Sequence, residues 1–310
     1  MGLITGVYRK NFLRRYDCED AAIPYYCAED FPGLSCEEGS FANSFGTTIK
    51  YFFYHYENPR TDKLLLFCPG MGPGHVAYLA EIATLCRAGY RVLTLDYTGC
   101  GASGGEKLPS INAPTHDALE LLELLHPQEE VIPIGHSLGG YTALNVAHRN
   151  SGVRRAVILS GFVSITDEMM TFVKLRPFAA CVGRLEKKLD PAFGSIDNLA
   201  YLANTTDRIL WIHSTDDSMV NYKHNAGRVK KLQNPNLRVI TVEGKKHNPQ
   251  YTQKALENMN AWIGEYFRLV IGKKLKTLEE KQAYFADKPI ESMTEQDPAV
   301  YEEIFRWIKG

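Results

Sequence analysis

No stretch of this chain approaches the ~20 consecutive apolar residues that a membrane-spanning helix requires, so an integral membrane segment is not expected. Charge of one sign is also scarce: 35 Lys and Arg stand against 36 Asp and Glu, for a formal charge of −1. Nucleic acid is therefore not an expected partner, because gripping a phosphate backbone takes a concentrated basic surface. Close cysteine pairs are missing too. The seven cysteines are an odd number, and Cys18, Cys27 and Cys36 stand nine positions apart, which fits neither a disulfide framework nor the short pairs of zinc ribbons. No His-Glu-x-x-His occurs, and neither a metal nor another cofactor is expected. A secretion signal is not expected either: Gly2 to Val7 is too short for an apolar h-region, and its basic residues follow it. Gly6 stands where a myristoylation signal wants Ser or Thr. Together these absences lead us to expect a cytoplasmic protein in a reducing compartment. They leave the oligomeric state open.

What is present is a large apolar fraction, 45% of 310 residues, enough to bury a full sheet between two helical layers and still carry an insertion. Strands are expected near 48–56, 63–68, 91–96, 130–135, 154–160, 208–214 and 237–243, and helices near 76–88, 113–126, 138–149, 221–232 and 250–270. This alternation predicts the α/β class, a mainly parallel sheet with helices on both faces. Residues 37–45 and 48–56 should form an antiparallel hairpin at its edge. Between Gly161 and Asp207 the strand pattern lapses for about 45 residues, where a plain crossover needs a dozen or so. Met169, Met170, Phe172, Val173, Leu175, Phe178 and Val182, interrupted by Pro177 and followed by Pro191, read there as short helices. Lys174, Arg176, Arg184, Lys187 and Lys188 make that segment locally basic, as a solvated face. Residues 1–36 are expected to wrap the sheet edge. Near the other end Asp297-Pro298 is a helix start, and Val300, Tyr301, Ile304, Phe305 and Ile308 form one apolar face that must dock on this domain or on a second subunit.

The candidate chemistry begins at Gly135-His136-Ser137-Leu138-Gly139. An apolar run, Val131 to Ile134, precedes it and good helix formers follow, which is the strand, turn and helix context of the G-x-S-x-G nucleophile motif. A serine hydroxyl near neutral pH needs a base within hydrogen-bond reach and a third group that fixes the base's tautomer. Downstream, the run Arg208 to Ser214 empties into Thr215-Asp216-Asp217-Ser218-Met219-Val220. The run Leu237 to Val242 then leads to Glu243-Gly244-Lys245-Lys246-His247-Asn248-Pro249. The strand-end carboxylate is Asp216 or Asp217, and the loop imidazole is His247. His136 and His213 read as strand-end residues packed beside the site, Ser103 as a residue that satisfies nearby backbone, and Cys100 as a small filler.

Three further motifs carry a resemblance. Asp96-Tyr97-Thr98-Gly99-Cys100-Gly101-Ala102-Ser103-Gly104 matches D-x-x-G-x-G-x-S-x-G. Cys68-Pro69-Gly70-Met71-Gly72 follows the strand at 63–68, and a strand-end Asp is followed by a loop His. On these, with the serine turn, the chain from roughly Thr47 to Leu269 resembles the α/β-hydrolase superfamily. It is most similar to its small-capped esterase, monoacylglycerol-lipase-like and serine-aminopeptidase-like branch. The resemblance implies an α/β-hydrolase fold with a core at 37–160 and 208–271, a helical cap at 161–207, and extensions at 1–36 and 272–310. It implies Ser137 as nucleophile, His247 as base and Asp217, whose spacing to Met219 and Val220 fits better than that of Asp216, as the acid. The oxyanion hole would be the amides of Met71 and Leu138, although Pro69 stands where many relatives have His. Met169, Met170, Phe172 and Tyr78 would shape the substrate pocket. The implied activity is cleavage of a carboxylic ester in a small acyl substrate through an acyl-enzyme. Thioesterase, amidase, peptidase or acyltransferase chemistry on the same residues, or a non-catalytic ligand-binding role, stays open.

Overall fold

Lys-Leu-Leu-Leu-Phe-Cys at 63–68 has no polar alternation, which suits a parallel strand buried on both faces. The computed structural model, which describes residues 2–17, 22–173, 175–194, 196 and 198–310, places it in the middle of a sheet. The strands among the described residues are β1 Ser35–Ala42, β2 Thr48–His55, β3 Lys63–Cys68, β4 Arg91–Leu95, β5 Glu130–His136, β6 Arg155–Leu159, β7 Arg208–Ser214 and β8 Leu237–Val242. Their order in the sheet is β1-β2-β4-β3-β5-β6-β7-β8. The β1–β2 hairpin and the β2–β4 pair are antiparallel, and every later pairing is parallel.

The helices are α1 Gly2–Phe12, α2 Leu79–Arg87, α3 Ala113–Leu125, α4 Leu138–Arg149, α5 Ile165–Val173, α6 Arg176–Leu189, α7 Asn198–Asn204, α8 Ala226–Val229, α9 Gln253–Ile271, α10 Leu278–Phe285, α11 Glu291–Thr294 and α12 Pro298–Lys309. Successive strand residues point to opposite faces, and β3 shows the consequence. Leu64 and Leu66 pack with Leu121 of α3, Leu144 of α4 and the fully buried Trp211. Leu65 and Phe67 pack with Ile82 of α2 and with Val300, Ile304 and Ile308 of α12. The last helix thus docks on the chain's own sheet, capped at its start by Asp297, which accepts the Ala299 N–H at 2.9 Å. No helix among the described residues is long and apolar enough to cross a membrane, and no disulfide joins the six described cysteines. Cys18, Lys174 and the side chain of Val173 lie outside the described residues.

Two sequence expectations are corrected here. The helix expected over 221–232 contracts to the single turn of α8, because Asn221 and Asn225 use their side chains on backbone N–H groups at 223 and 163 and so compete with helical hydrogen bonds. Residues 1–36 do not simply wrap the sheet edge. Tyr26, Phe31 and Leu34 lie along the sheet, but α1 packs on α6, where Tyr8 and Leu13 join Val182 and Leu185 in a separate apolar cluster.

That packing is locked by a buried acid. Glu186 of α6 accepts the Tyr8 hydroxyl at 2.8 Å and the Ile111 N–H at 3.0 Å. Burial pushes its carboxyl up to about 7, against an opposing effect of those two donors. Between the unfolded-state value near 4.5 and this raised one, the folded chain holds a proton that the unfolded chain has lost, so stability falls as pH rises through the window. Glu186→Gln keeps one acceptor and one donor there without the charge. Thermal unfolding from pH 5 to pH 8 should show wild type losing up to about 3 kcal/mol more than the variant. Parallel pH profiles would refute the assignment.

Candidate active site

Ser137 is the first residue past β5, with φ 57° and ψ −119°, a left-handed conformation that a residue with a Cβ adopts only at a cost of about 1–3 kcal/mol. Its N–H donates to Leu159 O at 2.9 Å, and its carbonyl accepts the Tyr141 N–H at 3.1 Å, so both sides of the turn are held. The flanking glycines are required by close approach of backbone. A Cβ at Gly135 would fall 2.0 Å from Gly139 O, and one at Gly139 would fall 1.8 Å from Cys68 O. The start of α4 therefore presses against the end of β3. Ser137 is left partly exposed at the sheet's carboxyl edge, the edge where open α/β sheets form their ligand crevice.

Asp217 follows β7 and is buried, whereas Asp216 is exposed. The two carboxylates have separate partners. Asp216 Oδ1 accepts the Ser214 hydroxyl at 2.5 Å and the Lys246 N–H at 3.1 Å. Asp217 Oδ1 accepts the Met219 and Val220 N–H groups, each at 2.9 Å. Its Oδ2 lies 2.9 Å from His247 Nδ1 and 3.2 Å from His213 Nε2. Trp211 Nε1–H donates to His213 Nδ1 at 3.3 Å, which leaves the His213 proton on Nε2, shared between Asp217 and Val220 O at 2.9 Å. Burial alone would raise the Asp217 carboxyl, but the donors from His213 and His247 outweigh it and hold the group well below the usual carboxylate range.

His136, just before Ser137, ties the two sides of the site together. Its Nε2 bonds to the His247 carbonyl at 2.7 Å and its Nδ1 to the Tyr78 hydroxyl at 3.0 Å. Burial, followed by the neighbouring His247, pulls its pKa down to about 3, so the ring stays neutral. With Nε2 as donor to a carbonyl, Nδ1 is the acceptor for the phenol. The loop at 69–72 is held from below by Tyr97, whose hydroxyl donates to Pro69 O at 3.1 Å. This support takes a form different from the His that many superfamily members carry at that position. Among the described residues, neither the Met71 nor the Leu138 N–H donates a hydrogen bond. Ser103 reaches further than its neighbours: it donates to Asp96 O at 2.6 Å and accepts the Lys50 N–H at 2.8 Å, stitching this motif to β2. Cys100 is buried, as a filler.

Ser137, His247, Met71, Leu138, Tyr78, Met169 and Phe172 all line one cavity of about 550 Å³. The Ser137 hydroxyl and the His247 imidazole face it without a mutual hydrogen bond among the described residues. That is common before a substrate tightens such a site. Met170 is placed elsewhere: Met169 and Phe172 share a face of α5 at i and i+3, while Met170 points off that face and packs with the apolar cluster that includes α1 and α6. Arg176, Arg184, Lys187 and Lys188 are exposed, as a solvated face. Sequence reasoning missed the wall contributed by Phe12, Arg14 and Tyr16, and it missed Glu168 of α5. No local motif marks the first three. Glu168 stands one position before Met169 in a run read only for its apolar residues. Among the described residues, no group of three or more His, Cys, Asp or Glu could hold a metal ion.

Comparison with known proteins places this geometry. The serine aminopeptidase S33 family model matches residues 59–206, a span that includes Ser137 and stops before Asp217 and His247. An esterase of Pyrococcus furiosus superposes with a TM-score of 0.56 over 86% of this chain and 98% of its own, at 17% identity. The mouse α/β-hydrolase domain-containing protein 10 superposes at 0.52 over 77% of this chain and 100% of its own, at 16% identity. This chain belongs to the α/β-hydrolase superfamily. Within it, a proline iminopeptidase of Saccharolobus solfataricus is 31% identical over 134 residues, 42% of each chain. This α/β-hydrolase chain spans less than half the length of the curated relatives it matches.

Proposed function

We propose that this α/β-hydrolase chain is a serine hydrolase that cleaves a carboxylic ester through an acyl-enzyme, with Ser137 as nucleophile, His247 as general base and Asp217 as the acid. One observation carries the reading. A single cavity contains a serine on a strained turn and an imidazole whose Nδ1 is engaged by a buried carboxylate. Ser137 Oγ attacks the ester carbonyl carbon and its proton passes to His247 Nε2, while Asp217 stabilises the imidazolium. The carbonyl oxygen becomes an oxyanion and takes hydrogen bonds from the Met71 and Leu138 amides, donors worth about 2.7–4 kcal/mol each in such sites. Collapse expels the alcohol, which takes the proton from His247. Water, deprotonated by the same imidazole, then releases the acid and restores Ser137.

An ester is favoured over other acyl groups because the walls are mostly apolar. Phe12, Ile111, Phe162, Ile165, Met169 and Phe172 suit an acyl chain. The helices α5 to α7 serve as the cap in this reading, with Met169 and Phe172 facing the chain and Tyr78 at its base. A peptidase reading has its own support, the S33 family match and the iminopeptidase relative. Aminoacyl p-nitroanilides set against p-nitrophenyl esters separate the two by relative kcat/KM.

A fluorophosphonate probe tests the nucleophile directly. It should label the wild-type chain covalently and leave Ser137→Ala unlabelled. Equal labelling of the alanine variant would remove Ser137 from the mechanism. A wild-type chain that takes no label would favour a ligand-binding protein over an enzyme.

A further inference from the structure

The wall of the cavity that no sequence motif announced is built by the N-terminal segment, and its construction separates two adjacent arginines. After α1 the chain runs along the loop at 96–105. The Tyr16 N–H donates to Gly99 O at 2.9 Å, the Gly101 N–H to Tyr16 O at 2.8 Å, and the Leu108 N–H to Arg14 O at 3.1 Å. Arg15 is consumed in fastening this segment. Its guanidinium donates to Gly101 O at 2.8 Å, Gly105 O at 2.6 Å and Asp17 at 2.7 Å. Side chains of an extended segment alternate in direction, and Arg14 and Tyr16 accordingly point the other way and line the cavity. The Arg14 guanidinium lies 4.8 Å from the centre of the Tyr16 ring. That ring is itself fixed, with its hydroxyl on Phe12 O at 3.0 Å.

The other charges of the cavity are spent or suppressed. Arg14 is the one Lys or Arg among its described lining residues. Asp217 is engaged by two imidazoles. Glu168 is buried with Asn225 Nδ2 at 3.3 Å, and burial, then the nearby Asp217, pushes its carboxyl well above the usual range, which favours the neutral acid. Facing apolar walls, the guanidinium offers a planar fork matched to carboxylate or phosphate oxygens. Stacking on Tyr16 limits the rotamer entropy lost when it binds one.

We propose that Arg14 is a specificity residue that selects esters carrying a second, anionic group, a carboxylate or phosphate, which it holds while Ser137 acts on the ester carbonyl. This rests on the serine-hydrolase reading and deepens it by naming the substrate class. The test compares kcat/KM for matched anionic and neutral esters. Mono-p-nitrophenyl glutarate against p-nitrophenyl valerate places the charge on the acyl side. The 3-carboxy-4-nitrophenyl and 4-nitrophenyl butyrates place it on the leaving group.

In at least one of the two pairs, Arg14→Gln should lower the anionic-to-neutral ratio about fivefold, the upper range for a partly solvated ion pair. Arg14→Lys should restore part of it. The wild-type ratio should shrink toward that of Arg14→Gln as salt is raised to 1 M. The exposed Arg9 of α1, which does not line the cavity, provides the control. Arg9→Gln should keep the wild-type ratio. If wild type hydrolyses the neutral esters and both ratios are the same in Arg14→Gln, the Arg14 assignment fails and the hydrolase reading stands. If wild type hydrolyses no ester and takes no fluorophosphonate label, the hydrolase reading fails and takes this inference with it.

Discussion

His247→Ala should lower kcat on p-nitrophenyl butyrate by about 10⁵- to 10⁶-fold, the loss that follows when the base of a serine mechanism is removed. The size of the effect depends on whether anything nearby could replace the imidazole. His136 is the nearest ring, with centroids 4.6 Å apart. Both of its nitrogens are committed, one to the His247 carbonyl and the other to the Tyr78 hydroxyl. Its depressed pKa, about 3, also makes it a weak proton acceptor near neutrality. His213 lies behind Asp217, fully buried, and faces the carboxylate rather than the cavity. No substitute base is placed to act. The backbone bond from His136 to residue 247 survives the substitution, so the loop should keep its course and the thermal midpoint should shift little. Retention of more than about 1% of wild-type kcat by the folded variant would show that proton transfer does not run through residue 247.

The same hydrogen bonds explain why the site's support was harder to read than its position. The sheet was legible because apolar runs such as 63–68, 130–136 and 208–214 are each buried on two faces, and that physics is local to the run. Strand ends then set where Ser137, Asp217 and His247 stand along the sheet edge, and their chain positions alone imply that they share a rim. What the sequence conceals is contact between segments remote along the chain. Arg14 reaches the cavity because Arg15 fastens its segment to carbonyls some 90 residues away. Glu186 holds α1 through a buried bond to Tyr8, 178 positions earlier. His213 stood out as a residue beside the site, but its role depends on a proton that Trp211 directs to Nε2. Pro69 looked like a missing support until Tyr97 was found on its carbonyl. The turn at 221–232 was misread for the opposite reason. Its helical pattern was present, and the side chains of Asn221 and Asn225 overrode it.

Asp217→Asn should lower kcat by about 10⁴-fold, and Asp216→Asn by no more than about threefold. The contrast follows from which atoms each carboxylate must accept. Asp217 Oδ1 receives two backbone N–H groups, from Met219 and Val220. In the asparagine variant the amide oxygen has to take that position, which turns the NH₂ toward His213 and His247. His213 keeps Val220 O as an acceptor for its Nε2 proton. His247 has no such alternative, and a donor now faces its Nδ1. The ring answers by moving its proton to Nε2, the nitrogen that must accept the Ser137 proton, and the base is converted to a donor. Position 216 has none of this constraint, because an amide oxygen there can still accept from both Ser214 and Lys246. Measured side by side on one activated ester, the two variants should differ by about three orders of magnitude. A larger loss at Asp216, or less than a hundredfold loss at Asp217, would mean that the His247 tautomer is fixed by some other group.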